Sequence, residues 1–325
     1  MKATTGLRLF GIAVVIVASS LTTPATQQET APSTAAPSSA EVDALIPGVV
    51  NAAKEYEKAF RNLVADETRL IEVFDQSGRI KKRREIVSDL VVYQSSRDAA
   101  GTAEYRDVRS VDGKAVEKRN KRALDVLTRA SQSTSTKKEL DLINREGQRY
   151  DRDLGYSFYG GTARQPAVRL ADRQALRIEP AGREQTDGHE VVIVDYQEAA
   201  PSRSHFNPPK FYDQNGFSSS LVRGRLWIDT ATSQVRRARW EIAFVLPGQP
   251  ELVPILRQES SYTESRFGIL VPERVVYEFF ERAKPMKGKP PSFFRSARTT
   301  CVYGTFRQFG VDTQQTIQTP ASTTP

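Results

Sequence analysis

Cysteine and histidine are scarce in this chain. Its 325 residues include one cysteine, Cys301, and two histidines, His189 and His205. A single thiol cannot form an internal disulfide, so the packed core must carry the stability of the fold. Cys301 lies in an apolar strand pattern, which favours a small buried hydrophobic role over a reactive thiol. These residues are too few for an ordinary zinc site, and we expect no metal and no cofactor.

Long apolar runs are also missing, with one exception near the start. A cationic stretch with Lys2 and Arg8 precedes an apolar run at 9–21, and small residues follow up to Ala25. This pattern is typical of a secretory signal peptide at 1–25, and the run is too short for a stable membrane anchor. An uncleaved anchor is the alternative. We therefore expect an exported protein, periplasmic or secreted, with no transmembrane segment after cleavage.

Acidic residues are outnumbered by basic ones. The chain has 47 Lys and Arg against 39 Asp and Glu, and its densest basic run lies at 79–84. An exported protein rarely meets nucleic acid, so we expect no nucleic-acid partner. The run at 79–84 is interpreted as a solvated turn between strands, with attraction to an anionic membrane surface as the alternative.

Two segments lack the apolar residues that a core requires. Residues 26–40 and 312–325 are small, polar and proline-containing, and we predict a disordered leader and a disordered tail there. The intervening residues 41–311 are predicted to form a single domain, with a helical insert at about 117–152.

Helical spacing predicts helix in two regions. Pro47 suits the first turn of one helix. The apolar residues that follow it at helical spacing are Val49, Ala53, Tyr56, Phe60 and Leu63. In the insert, Thr136 and Glu139 have the spacing of a capping box, which predicts the start of another helix.

Strand-like composition fills the rest of the domain. The predicted strands cover 68–74, 84–94, 103–111, 174–179, 189–198, 256–267, 271–282 and 296–311, besides the hairpin described next. Asp112-Gly113 and Asp187-Gly188 are turn signals that predict hairpins at those positions. The stretch 199–220 contains three prolines and four aromatic residues, and it is predicted to be a long loop.

The segment 223–244 shows the clearest alternation. The residues of its apolar face, extended by one position, are Val222, Leu226, Ile228, Ala238, Trp240, Ile242 and Phe244. The opposite face carries arginine and glutamate, as expected for an antiparallel sheet with one buried face. Trp227 falls on the arginine-rich face. There it is expected to stack on an arginine as structural cover, with an exposed recognition aromatic as the alternative.

The sequence contains no recognisable catalytic constellation. Ser135-Thr-Lys-Lys138 has the spacing of a serine activated by a lysine, but a helix start explains the same residues. Asp151-Arg-Asp153 is interpreted as a charged helix end rather than a cation site. The carboxylates Glu190, Asp195 and Glu198 are candidates for acid–base chemistry, but spacing does not show which of them are close. We expect a protein that is not an enzyme.

The order of the later motifs resembles a known family. The motifs are Gly224-Arg-Leu-Trp-Ile-Asp229, Val235-Arg-Arg237, Ser261-Tyr262, Gly268-Ile-Leu-Val-Pro272 and Phe306-Arg-Gln-Phe-Gly-Val311. Together with the leading helix and the helical insert, they are similar to exported bacterial proteins related to the periplasmic lipoprotein-localisation carriers and outer-membrane lipoprotein-sorting proteins. The resemblance is closest to an uncharacterised branch. It implies an α+β fold, a curved antiparallel sheet (half-open β-barrel) with helices covering the concave face.

The resemblance also implies a hydrophobic ligand. We predict an exported cell-envelope protein that holds a hydrophobic or lipid-like molecule in the concavity of the sheet. The ligand-binding candidates are Leu226, Ile228, Trp240, Ile242, Phe244, Val276 and Phe280, and the candidates for loop contacts are Phe206, Phe211, Tyr212 and Phe217. Two alternatives stay open. One is a protein-interaction or sensor module with a filled core and an envelope protein partner, and the other is a carboxylate-based hydrolase.

Overall fold

An antiparallel sheet of eleven strands forms the body of the protein. The structure, a computed structural model, describes residues 36–95, 97–98, 101–155, 162, 164–203, 205, 210–248, 251–284 and 291–308. The strands are β1 (Leu63–Phe74), β2 (Ile80–Gln94), β3 (Thr102–Val111), β4 (Lys114–Ala115), β5 (Leu176–Thr186), β6 (His189–Glu198), β7 (Ser219–Asp229), β8 (Val235–Val245), β9 (Leu252–Glu264), β10 (Leu270–Arg282) and β11 (Phe293–Gln308). The helices are α1 (Ser39–Phe60), α2 (Arg119–Ser131), α3 (Thr136–Gly147) and α4 (Lys210–Asn215).

The sheet is open, with β4 and β5 at its two ends. Its order is β4-β3-β2-β1-β11-β10-β9-β8-β7-β6-β5, so that the first strand of the chain pairs with the last. The predicted turns at 112–113 and 187–188 are confirmed, because they connect the antiparallel pairs β3–β4 and β5–β6. With α1 laid on one face, the arrangement confirms the predicted α+β class, a curved antiparallel sheet with helices.

Helix α1 covers one face of the sheet, which we call the inner face. The Ser38 hydroxyl accepts a hydrogen bond from the Glu41 backbone N–H, so the helix begins inside the predicted leader. The prediction that Pro47 lies in the first turn is wrong, since Pro47 lies within the helix. The buried face of α1 consists of Val42, Ile46, Val49, Ala53, Tyr56 and Phe60. These side chains share one apolar core with the inner face, including Cys301, which is fully buried as predicted.

The helical insert lies at the β3 end of the sheet. Its α3 begins at Thr136, but the capping residue is Ser135, whose hydroxyl accepts from the Lys138 N–H at 3.3 Å, and not Thr136 as the predicted capping box has it. The pair α2–α3 packs on Ala103 and Tyr105. Because these two alternate along β3 with inner-face residues, the pair covers the side of β3 away from α1.

The stretch predicted as a long loop contains local structure. Ser202 bridges to Ser220, and the short helix α4 follows within it. The predicted signal peptide, the leader up to residue 35 and the tail lie outside the described residues, as does Phe206.

Candidate functional site

The central hairpin has the two faces that its sequence predicts. Leu226 and Ile228 are fully buried on the inner face, within the core that α1 completes. On the outer face, the Arg237 guanidinium lies 4.6 Å from the centre of the Trp227 ring. Trp227 is itself buried, so the prediction that it forms structural cover against an arginine is confirmed.

Position 224 requires a glycine because the Tyr196 ring and the Arg239 backbone approach it closely on the inner face. A Cβ atom at this position would lie 2.6 Å from Cζ of Tyr196 and 2.5 Å from the backbone oxygen of Arg239. The absent side chain leaves room for the Tyr196 ring, which is buried and pairs across the strands with Gly224. Burial raises the pKa of Tyr196 well above its ordinary value.

Part of the inner face stays half-exposed. Ile242, Leu256 and Phe279 are paired neighbours on β8, β9 and β10, and Trp240 lies two residues from Ile242 on the same face. All four are partly buried and pack on the margin of the α1 core. We call Trp240, Ile242, Leu256 and Phe279 the apolar strip. It is a part of the inner face that is only partly buried, it contains the predicted residues Trp240 and Ile242, and Ile242 also packs against the side chains around Phe244.

The apolar strip borders buried polar side chains. Gln258 and Tyr277 continue the inner face from Trp240 across β9 and β10, and both are about as buried as the core. Burial raises the pKa of Tyr277 well above its ordinary value, so its hydroxyl stays protonated.

Two of the predicted ligand-binding residues do not share this face. Val276 alternates with Val275 and Tyr277, which belong to the α1 core, so its side chain lies on the outer face. Phe280 also lies there, with the Arg257 guanidinium 5.5 Å from its ring centre. The grouping of Val276 and Phe280 with the Leu226 face is therefore corrected.

The predicted loop aromatics pack on one another and on the sheet. Tyr212 from α4 and Phe217 are buried around Phe244, which is fully buried. The centres of the Phe217 and Phe244 rings are 4.4 Å apart, and Phe211 adjoins both rings. Phe244 thus belongs to an aromatic cluster at the end of β8 rather than to the apolar strip.

A hydrogen-bonded group that sequence spacing did not reveal lies beside this cluster. His205 Nδ1 is 2.8 Å from Ser220 Oγ, and His205 Nε2 is 2.9 Å from Glu198 Oε1. The Tyr212 hydroxyl is 2.8 Å from Ser220 Oγ on the other side. Strand pairing, which the sequence does not encode as a spacing, brings Glu198 and Ser220 together. We call Glu198, His205, Ser220 and Tyr212 the His205 cluster.

The other two carboxylate candidates form ion pairs at the surface. Glu190 accepts from Arg183 at 2.8 Å, and Asp195 accepts from Arg225 at 2.6 Å. The carboxylates of Glu190 and Asp195 are each about half exposed.

A buried ionic network lies on the inner face of β1 and β3. Its members, which we call the ionic network, are Glu67, Arg69, Glu104, Arg106 and Asp151. Arg106 donates to Glu67 at 2.7 Å and to Glu104 at 2.8 Å, while Arg69 donates to Asp151 at 3.0 Å. Burial opposes ionisation of Glu67, but Arg106 and Arg69 outweigh it and lower the pKa of Glu67. Burial raises the pKa of Asp151 despite Arg69.

The carboxylates considered for a cation site are therefore committed to arginines. Asp151 binds Arg69, and Asp153 accepts from both terminal nitrogens of Arg84. Within the described ranges, no group of three or more His, Cys, Asp or Glu side chains is placed to hold a metal ion. Among the same residues, no helix is long and apolar enough to cross a membrane.

Comparison with known proteins finds similarity in structure only. No protein-family model and no curated protein matches the sequence. A putative outer membrane lipoprotein-sorting protein domain from Vibrio parahaemolyticus is similar over 81% of this chain and 93% of its own, at 8% identity and a TM-score of 0.35. A DUF1329 family protein from Desulfovibrio piger (82% and 93%, 12% identity, TM-score 0.30) and a LolA superfamily protein from Nitrosomonas europaea (81% and 93%, 8% identity, TM-score 0.29) are similar too. The resemblance inferred from the sequence is confirmed, at low TM-score and low identity.

Proposed function

We propose that this protein is an exported cell-envelope protein that binds a hydrophobic or lipid-like ligand on the apolar strip. The observation that carries the proposal is the uneven burial of one sheet face. Leu226 and Ile228 are fully buried in the core that includes α1, whereas Ile242, Leu256 and Phe279 on the same face are only partly buried. Large apolar side chains that adjoin one another and stay only partly buried are compatible with a site completed by another molecule.

The shape of the strip favours a narrow ligand. Its members lie on three neighbouring strands, which span about 10 Å at the usual strand spacing. A cavity between α1 and the start of β10, lined by Tyr56, Gln165 and Leu270, has a volume of only about 60 Å³. That volume is far below the roughly 300 Å³ at which pockets for small organic ligands begin. An extended chain on the strip therefore fits this protein better than a bulky molecule at that cavity.

Neighbouring phenylalanines on β10 provide a matched test. Phe279→Ser removes an apolar side chain from the strip, whereas Phe280→Ser removes one from the outer face. With a fluorescent fatty acid as the probe, we expect F279S to weaken binding about tenfold or more and F280S to leave it unchanged. Equal affinities for both variants and the unmodified protein, or absence of probe binding altogether, would contradict the proposal. Circular dichroism of both variants checks that they are folded.

A second candidate function is a protein-interaction module with a filled core. The observation that favours it is on α2, where the side chains of Leu124 and Leu127 are 66% and 38% exposed. A photo-crosslinking residue at position 124, expressed in cells, is expected to capture one reproducible envelope protein, and the same residue at the exposed position Lys121 serves as a neighbouring control. Binding on the strip itself requires no bond-making chemistry.

A further inference from the structure

We propose that the His205 cluster is an acyl-transfer site, in which the Ser220 hydroxyl attacks the carbonyl carbon of a carboxylic ester. The substrate class, an ester with a hydrophobic acyl chain, rests on the proposed function of the apolar strip. The nucleophile itself is argued from the geometry of Ser220, His205 and Glu198.

The histidine is oriented as a general base. Glu198 Oε1 lies 2.9 Å from Nε2 of His205, so the carboxylate holds the ring proton on that nitrogen. The lone pair of Nδ1 then faces the Ser220 hydroxyl at 2.8 Å, within the range for proton transfer. A nucleophile bonded to a base, with the base oriented by a third group, is the arrangement that activates serine in covalent catalysis.

The carboxylate is itself fixed. Glu198 Oε2 accepts a hydrogen bond from the Val222 backbone N–H at 2.8 Å, and Arg169 lies 3.9 Å from Oε1. The His205 side chain is only 11% exposed, so little water competes for its two nitrogens. These contacts leave the imidazole one orientation in which both ring nitrogens are bonded.

The site adjoins the apolar strip. Ser220 and Val222 project from the same face of β7, about 7 Å apart along the strand. Val222 pairs directly with Ile242 of the strip. An acyl chain lying over Ile242, Leu256 and Phe279 would therefore bring its ester end toward Ser220.

The reaction balances without a further reactant. The Ser220 oxygen forms a bond to the ester carbonyl carbon while its proton passes to His205 Nδ1. The bond from that carbon to the alkoxy oxygen then breaks, and the alcohol leaves with the proton. Water repeats the two steps on the acyl-serine and releases the carboxylic acid.

Burial makes the expected reaction slow. Ser220 and Tyr212 are both fully buried, so a substrate reaches Ser220 Oγ only when α4, which carries Tyr212, moves off the sheet. The same hydrogen bonds would also hold His205 and α4 on the sheet if they had a purely structural role. The two roles differ in one observable, because only an activated serine forms a covalent adduct.

The test uses the full chain and two fluorophosphonates, one with a short and one with a long alkyl group. We expect a single adduct in the intact mass, mapped by peptide analysis to Ser220, with faster labelling by the long reagent. Ser220→Ala is expected to abolish the adduct, and His205→Gln to slow it by about 100-fold or more. Ser218→Ala is the control, since the hydroxyl of Ser218 contacts only the backbone of Val245.

The outcomes separate this proposal from the proposed function. Absence of an adduct on the folded, unmodified protein, or an adduct that persists in S220A, would overturn the acyl-transfer site. A rate unchanged in H205Q would overturn the role of His205. If the short reagent labels Ser220 but F279S neither slows the long reagent nor weakens fatty-acid binding, the nucleophile stands and the assigned substrate class fails. If S220A binds the fatty acid normally and no reagent labels the protein, the binding proposal stands alone.

Discussion

Helix α1 and the chain around Asp151 both close the inner face of the sheet, but the contacts beneath them are of opposite kinds. Under α1 the contacts are apolar, and residues such as Leu226 and Val194 lie in one continuous core. Toward β1 and β3 the same face carries the ionic network, in which Arg69 and Arg106 are shared among three carboxylates.

The apolar contacts beneath α1 and the ionic network differ in how much their side chains can be rearranged. Apolar contact depends on buried area and has no preferred direction, so side chains of comparable size can replace one another beneath α1. A buried charge must keep its partners in a defined geometry, because desolvation is otherwise uncompensated. We infer that the ionic network fixes one end of the inner face, while the apolar end is the part able to admit a ligand.

Removal of a shared arginine is expected to have the largest effect. Arg106→Met leaves Glu67 and Glu104 buried without their main partner, and we expect a loss of about 3–5 kcal/mol in the free energy of unfolding, measured by urea denaturation. Arg225→Met is the matched control, because its pair with Asp195 is half exposed. That substitution should cost less than about 1 kcal/mol. If R106M and R225M lost the same free energy of unfolding, the ionic network would have to be exposed to solvent.

Truncation in the apolar region is expected to cost somewhat less. Leu226→Ala creates a cavity beneath α1 and should lower the free energy of unfolding by about 2–5 kcal/mol. The half-exposed Val276→Ala on the outer face should change it by less than about 1 kcal/mol. The comparison would fail if L226A and V276A were equally stable by the same urea measurement.

Acid is expected to separate the two regions, with a smaller effect than either substitution. The pKa of Glu67 is lower in the folded chain than its ordinary value of 4.5, so its stabilisation is complete above pH 4.5 and is lost as the pH falls through the folded pKa. Asp151, whose pKa is raised, partly offsets this loss. Amide exchange protection below pH 4.5 should fall in β1–β3 before it falls in β7–β9.

Glu67→Gln tests the origin of that separation. In this variant position 67 no longer titrates, so β1–β3 should no longer lose amide exchange protection before β7–β9. L226A should keep the order while lowering protection throughout. Simultaneous loss in all strands of the unmodified protein would argue against an electrostatic cause.

The smallest effect is expected on the outer face. Arg237→Gln removes the guanidinium from the Trp227 ring and should cost about 0.5–1 kcal/mol, again by urea denaturation. Arg239→Gln is the control, because Arg239 is exposed and lies two residues from Arg237 on the same face of β8. This substitution should leave the free energy of unfolding unchanged. A loss above about 2 kcal/mol would show that the outer face contributes as much as the core.

Alternation predicted the strands well because most of them have one buried face. His189–Glu198 was placed to the residue, and the Asp112-Gly113 turn has positive φ at both positions, 49° and 76°, which that residue pair tolerates. The start of α1 differs from the prediction because its capping residue, Ser38, falls inside a stretch of leader-like composition. On β10, both alternating sets are apolar (Val275 beside Val276, Phe279 beside Phe280), so periodicity could not assign a face.

The candidate site was predictable only in part. Trp240 and Ile242 were found because they alternate with charged residues within one hairpin. Leu256 and Phe279 complete the strip through pairing between strands, which a single sequence does not encode. The His205 cluster was hidden for the same reason, since Glu198 and Ser220 belong to adjacent strands and His205 to the segment between them.

The pairing of β1 with β11 has a consequence for how the sheet is made. Asp66 and Arg307, which form an ion pair between these strands, are 241 positions apart. Contacts of such separation form late, because the loop they close costs much conformational entropy. Until residues 293–308 are in place, β1 and β10 both present unpaired strand edges of the kind that promote aggregation. The two flanks of the sheet are thus joined only when β11, the last of the described strands, pairs with both β1 and β10.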